Sequence, residues 1–145
     1  MTIFYISTAG DDANGGLAET SAWLTPSASD SKISGSDELL FQRGNTWTGG
    51  STVEMSFTSA HIGSAGQFTT LSTYGAGPKP ILDCDWDNIG NFDGVVDGAG
   101  AQFFLVEDLD IRHAGPQSSG SNNGSLLVRF DEGASGNPAQ NITRS

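Results

Sequence analysis

The dominant pattern along this chain is alternation of apolar and polar positions over short runs. Residues 81–87 place Leu82, Cys84 and Trp86 on one face and Ile81, Asp83, Asp85 and Asp87 on the other. That two-residue period belongs to a strand with one buried and one wet side. In residues 52–57, Val53, Met55 and Phe57 share a face in the same way, and a strand is expected there. Residues 2–7, rich in β-branched and aromatic side chains, read as an opening strand. Further strands are expected at 38–42, 68–74, 103–106, 109–111, 126–130 and 141–143. Residues 20–24 and 26–33 read as short helical turns. Gly, Asn and Asp clusters separate these elements, as in Asp11-Asp12-Ala13-Asn14-Gly15-Gly16 and Gly75-Ala76-Gly77-Pro78, and their turn chemistry ends each run.

The later strands recur about every 15 to 25 residues without hairpin dipeptides, a spacing that suggests stacked coils rather than a meander. Composition agrees with an all-β chain. Only 36% of the 145 residues are hydrophobic and 20 are Gly, a turn-rich balance that long helices do not have. One domain, 1–145, fits that length.

Charge narrows the partners. Seventeen acidic residues face six basic ones, for a net charge of −11. With no basic patch, nucleic acid is excluded as a partner. A bare polyanion would be repelled, unless a cation such as calcium bridged it. Neutral glycans and basic protein surfaces stay compatible. No run approaches the length of a membrane span, so no membrane partner is expected. The first seven residues lack a basic region and a long apolar run, so no signal peptide is expected. Cys84 is the single cysteine, which leaves no internal disulfide and does not fix the compartment.

Candidate chemistry is sparse. Asp83, Asp85 and Asp87, with Asp93 and Asp97 nearby, offer hard oxygen ligands along one strand face, a candidate calcium site. Asn88 and Gly94 stand where an EF-hand loop needs Gly and Glu, so that template fails. The competing reading of the aspartates is a solvated strand face. Arg112 and His113, following Asp108 and Asp110, could form a base with carboxylate partners, or a local set of ion pairs. Trp23 and Trp47 are candidates for stacking on sugars, against the alternative that they fill the core as Trp86 would. His61 reads as a loop residue, and Asn141-Ile142-Thr143 matches a glycosylation sequon.

Several longer stretches resemble the pectate-lyase-like β-helix proteins. Phe4-Tyr5-Ile6-Ser7-Thr8-Ala9-Gly10-Asp11-Asp12 looks like their opening strand and Gly-Asp turn, and Trp23-Leu24-Thr25 like the aromatic position that follows. Asp37-Glu38-Leu39-Leu40-Phe41-Gln42-Arg43-Gly44-Asn45-Thr46-Trp47 is close to a family stretch ending in Arg-Gly-Asp-Thr-Trp. Gly63-Ser64-Ala65-Gly66 and Tyr74-Gly75-Ala76-Gly77-Pro78-Lys79-Pro80-Ile81-Leu82-Asp83 resemble the entry to the first full coil. Val106-Glu107-Asp108-Leu109-Asp110-Ile111-Arg112 resembles a coil strand. The resemblance covers about residues 3 to 113. It implies a short right-handed parallel β-helix, single-stranded, with an N-terminal cap over about residues 1–50 and coils over 51–145.

The same resemblance is nearly silent on activity, because this architecture serves lyases, hydrolases, adhesins and phage spikes alike. The family's catalytic residues lie on later coils, so no catalytic residue is expected here. The favoured expectation is a non-catalytic structural or glycan-facing protein, such as a phage capsid decoration or tail protein, at a virion or extracellular surface. A fragment or minimal form of a polysaccharide lyase or glycoside hydrolase is the alternative, and a carbohydrate-binding module the third. An uncovered last coil would expose unpaired backbone groups, so a homo-oligomer or larger protein assembly is expected.

Overall fold

The computed structural model describes residues 1–57, 63–85, 96–97, 103–114, 128–129 and 143–144. Its strands run in chain order β1 (Ile3–Ile6), β2 (Glu38–Gln42), β3 (Thr46–Thr48), β4 (Met55–Ser56), β5 (Thr69–Tyr74), β6 (Ile81–Asp85), β7 (Val96–Asp97), β8 (Phe104–Val106), β9 (Asp110–Ala114), β10 (Val128–Arg129) and β11 (Thr143–Arg144). Three sheets collect them: β1-β2-β5-β8-β11, β3-β6-β9 and β10-β7-β4. After β1 and from β2 onward, the chain visits the three in fixed rotation, three times over, then returns to the first sheet. Every pairing between these strands is parallel. Helical content among the described residues is confined to single turns, at Glu19–Ser21, Pro26–Ser29 and α1 (Gly50–Val53).

Register turns local alternation into a core. Phe4, Leu39, Leu71 and Val106 stand in one row across the first sheet. Trp47, Leu82 and Ile111 form the matching row of the second. In β2 the inward pair Leu39 and Phe41 is fully buried while Glu38, Leu40 and Gln42 stay half-exposed. Each such buried side chain contributes about 1.5–3 kcal/mol of transfer free energy. Aromatic contacts close the corners. The Phe41 and Trp47 rings meet edge to face at 5.7 Å, and Phe57 packs on Phe104 at 5.0 Å.

The N-terminal segment is pinned by Trp23, whose ring stacks on Phe4 at 4.9 Å. Its indole N–H donates to the Asn14 carbonyl at 2.8 Å, and its backbone exchanges hydrogen bonds with Tyr5 and Ser7. Gly16 passes directly against that ring with φ of 71°, and a Cβ there would lie 2.5 Å from it. Only glycine fits both the backbone and the space.

One expectation changes. Val53, Met55 and Phe57 are all buried as their alternation requires, yet Val53 lies in α1 and only Met55–Ser56 is strand. Gly49, at φ of 109°, turns the chain, and its carbonyl accepts both the Val53 N–H and the Thr52 hydroxyl. A helical turn therefore replaces the first half of the strand. β2 and β3 pair with β5 and β6, so strands within the first fifty residues join the same sheets as later ones. In 81–87, Leu82 is buried as expected, while Trp86 and Asp87 lie outside the described residues, as does His61.

Candidate functional site

The strands of the first sheet end at a common corner, and their following turns stack there in a column. Ser7 and Thr8 follow β1, Arg43 to Asn45 follow β2, Gly75 to Pro80 follow β5, and Glu107 and Asp108 follow β8. Backbone bonds lock the layers. The Arg43 N–H donates to Tyr74, Gly44 to Pro78, Ile81 to Asn45, Glu107 to Leu71 and Asp110 to Pro80, all at 2.9–3.0 Å.

The column has a neutral end and a charged end. At the neutral end, Asn45 Oδ1 accepts the Thr8 backbone N–H at 2.9 Å and the Thr8 hydroxyl at 3.0 Å. The Ser7 hydroxyl donates to Gln42 Oε1 at 2.5 Å, and its oxygen accepts the Ala9 N–H at 3.1 Å. Beside them the Tyr5 and Tyr74 rings meet perpendicularly at 5.1 Å. Burial pushes the Tyr74 hydroxyl's pKa up, and Glu19 and Tyr5 push it the same way against a hydrogen bond with Ser7.

At the charged end, Asp108 pairs with Arg43 and, at 3.2 Å, with Lys79. It also accepts the Thr73 hydroxyl at 3.3 Å. Its neighbour Glu107 accepts from Ser72 at 3.2 Å. Asp108 sits at φ of 60°, a left-handed conformation that Asp tolerates better than most residues. Arg43, Lys79 and Asp108 belong to three successive coils, so only the winding brings them together.

The residues singled out in the sequence fall elsewhere. Trp23 and Trp47 are 1% and 6% exposed, and the Trp47 indole N–H donates to the Leu24 carbonyl at 2.7 Å. With both rings inside the core, neither offers a face to a sugar. Asp83 is half-buried on β6 and stands in register with Arg112 of β9. Arg112 bonds Asp110, which raises the guanidinium's pKa; the charge of Asp83 adds to the same direction. The Arg112 hydrogen bond in turn holds Asp110 below the usual carboxylate range. Asp110 and Arg112 thus form a local ion pair, while Asp108 turns away to Arg43 and Lys79. Asp85 is on β6 in register with Ala114, and His113 in register with Cys84; Asp87 lies outside the described residues. Among the described residues, no three His, Cys, Asp or Glu side chains converge as metal ligands.

Two carboxylates that the sequence did not single out have distinctive surroundings. Asp30 accepts the Ser56 N–H at 3.0 Å, and burial, with Glu54 nearby, pushes its pKa up to about 6. Asp37 is 5% exposed. Burial would raise its pKa, but the Ser34 and Thr2 N–H groups and the Ser34 hydroxyl together hold it below the ordinary value.

No protein-family model matches this chain, and no curated protein matches it. Solved structures do. A glycoside hydrolase family 136 lacto-N-biosidase from Eubacterium ramulus superposes with a TM-score of 0.62 at 20% identity, over 89% of this chain and 23% of that one. Its selenomethionine derivative gives 0.57 at 19% identity over 90% and 23%. A rhamnogalacturonan lyase gives 0.58 at 16% identity over 77% and 28%. The chain thus spans about a quarter of the length of these neighbours. Both are carbohydrate-active enzymes with folds of the β-helix type. That corrects the expectation of a non-catalytic protein, since the neighbours are a hydrolase and a lyase. The virion assignment finds no support among them either. These likenesses establish the fold: a mostly β chain wound into parallel sheets, of the type that carbohydrate-active enzymes carry.

Proposed function

We propose that this chain forms coils of a right-handed, pectate-lyase-like parallel β-helix and is a glycan-facing part of a carbohydrate-active enzyme. Hydrolysis of a neutral glycan is the reaction class. The observation that carries this reading is the likeness to the lacto-N-biosidase over 89% of the chain. Handedness rests on the parallel crossovers, since connections of that kind are right-handed in about 98% of cases. The choice of neutral glycan rests on the net charge of −11, which repels uronate polymers.

Titration of the chain with neutral oligosaccharides and with polygalacturonate, followed by calorimetry and by reducing-end release, tests the proposal. Saturable binding of a neutral oligosaccharide, with none of polygalacturonate, is expected. Binding of polygalacturonate alone, with unsaturated products absorbing in the ultraviolet, would favour a lyase and overturn the neutral-glycan assignment. Absence of binding to every glycan would remove the functional reading while leaving the fold intact.

A further inference from the structure

We propose that Gln42 and Asn45, flanked by Tyr5 and Tyr74, form a subsite for one uncharged pyranose residue. The inference rests on the reading of the chain as glycan-facing and names the place where the glycan sits. It starts from hydrogen-bond accounting. A carboxamide has one acceptor oxygen and an NH2 group with two donors. The Asn45 oxygen accepts from Thr8 twice, and one of those donors is a backbone N–H. An N–H only donates, so the oxygen must face Thr8 and the Asn45 NH2 group must face away. The Gln42 oxygen is likewise engaged by the Ser7 hydroxyl.

Both NH2 groups are left without an acceptor among the described residues, and both side chains are half-exposed. Ordinary surface amides meet water in this way and swing freely. Here the oxygens are tied to the turn after β1, so the donors are held in place before any ligand arrives. Held donors cost less side-chain entropy on binding than free ones.

The apolar half of the site lies on the same surface. Leu39 and Phe41 point into the core, so Leu40 and Gln42 point outward. Register sets Tyr5 beside Leu40 and Tyr74 beside Gln42. Two half-buried tyrosine rings, perpendicular at 5.1 Å, thus stand next to the oriented amides. A few placed polar groups against an aromatic wall is the common build of a small-molecule site. Amide donors match the hydroxyl oxygens of a sugar, and the rings match its C–H faces.

The neighbouring charges exclude an acidic sugar. Arg43 and Lys79, the cations of this corner, are both engaged by Asp108. Glu19 acts on Tyr74 as a negative charge. With Glu107 beside Asp108, the two cations of this corner face two carboxylates among the described residues.

Gln42→Glu and Asn45→Asp test the assignment. Each keeps the oxygen that Ser7 or Thr8 needs, replaces the outward donors with an acceptor oxygen and adds one negative charge, which a neutral sugar does not seek. Tyr5→Ala removes part of the apolar wall and reports independently. Calorimetric titrations would use galactotriose, cellotriose and N,N′,N″-triacetylchitotriose, with trigalacturonate as the charged control, and melting temperatures would check folding. A wild-type chain that binds one neutral trisaccharide, with affinity at least about tenfold weaker in each variant, is the expected result. Binding by the wild type that all three variants retain would overturn the subsite and leave the glycan reading standing. No binding by the wild type would overturn both.

Discussion

The carboxylate of Asp37 accepts the Thr2 backbone N–H at 2.7 Å, tying the first strand to the turn that feeds the second. The other carboxylate oxygen takes the Ser34 N–H and hydroxyl, each at 3.0 Å. Three donors on one buried anion make a charge-assisted clamp. Asp37→Ala is expected to cost about 2–3 kcal/mol, because it leaves those donors unpaired. Equilibrium denaturation at neutral pH measures it, and a loss under about 0.5 kcal/mol would show that water replaces the clamp. The folded pKa is lowered from 3.8. Its contribution is therefore present above that value and lost as pH falls through the folded pKa.

Asp30 works in the opposite direction. Its folded pKa is raised from 3.8 to about 6, so the folded state holds its proton more tightly than the unfolded chain does. Its contribution is complete below pH 3.8 and fades as pH rises to about 6. Asp30→Asn keeps an acceptor for the Ser56 N–H without a charge to desolvate. The variant should therefore gain melting temperature relative to wild type as pH rises from 4 to 7. An equal offset at every pH would contradict this assignment.

Trp23→Ala should cost about 3–5 kcal/mol, the usual result of emptying an aromatic core site. The ring is buried, stacks on Phe4 and bonds Asn14. Gly16→Ala should also destabilise, since its Cβ would meet that ring and φ is positive. Denaturant midpoints compare the two. A near-neutral Trp23→Ala would mean that the ring is a surface feature after all.

Asp108→Asn should change stability by less than about 1 kcal/mol, because ion pairs this exposed are screened. Asn tolerates the left-handed backbone about as well as Asp does. The small difference from wild type should shrink as sodium chloride is added. A large loss that salt does not alter would mean that the corner depends on the backbone geometry of Asp108 rather than on its charge.

Much of the winding was legible before the structure. Strand 38–42 became Glu38–Gln42, and 68–74 became Thr69–Tyr74, because alternating burial of Leu39, Phe41 and Leu71 is a local pattern. The missing hairpin signals agreed with the uniformly parallel pairing. Strand 52–57 was half wrong: its burial pattern was right, but a helical turn at Gly50–Val53 also buries Val53. The candidate site was not legible. Ser7 and Gln42 meet across 35 positions, as do Thr73 and Asp108, and no short motif records such a distance.

By itself the sequence determined most of the short strand runs, which side of each is apolar, and the net charge of −11. Those are one-residue and two-residue properties, set by side-chain chemistry and by the alternation of the extended backbone. Tertiary structure decided the rest. The register between coils put Tyr74 beside Gln42 and Trp47 beside Leu82. It drew Trp23 and Trp47 into the core, and it brought Arg43, Lys79 and Asp108 to one corner. The physical reason is that each parallel strand pairs with residues 29 to 41 positions away along the chain, as Ile81 with Asp110 and Met55 with Val96. Which side chains become neighbours therefore depends on the length of every intervening turn.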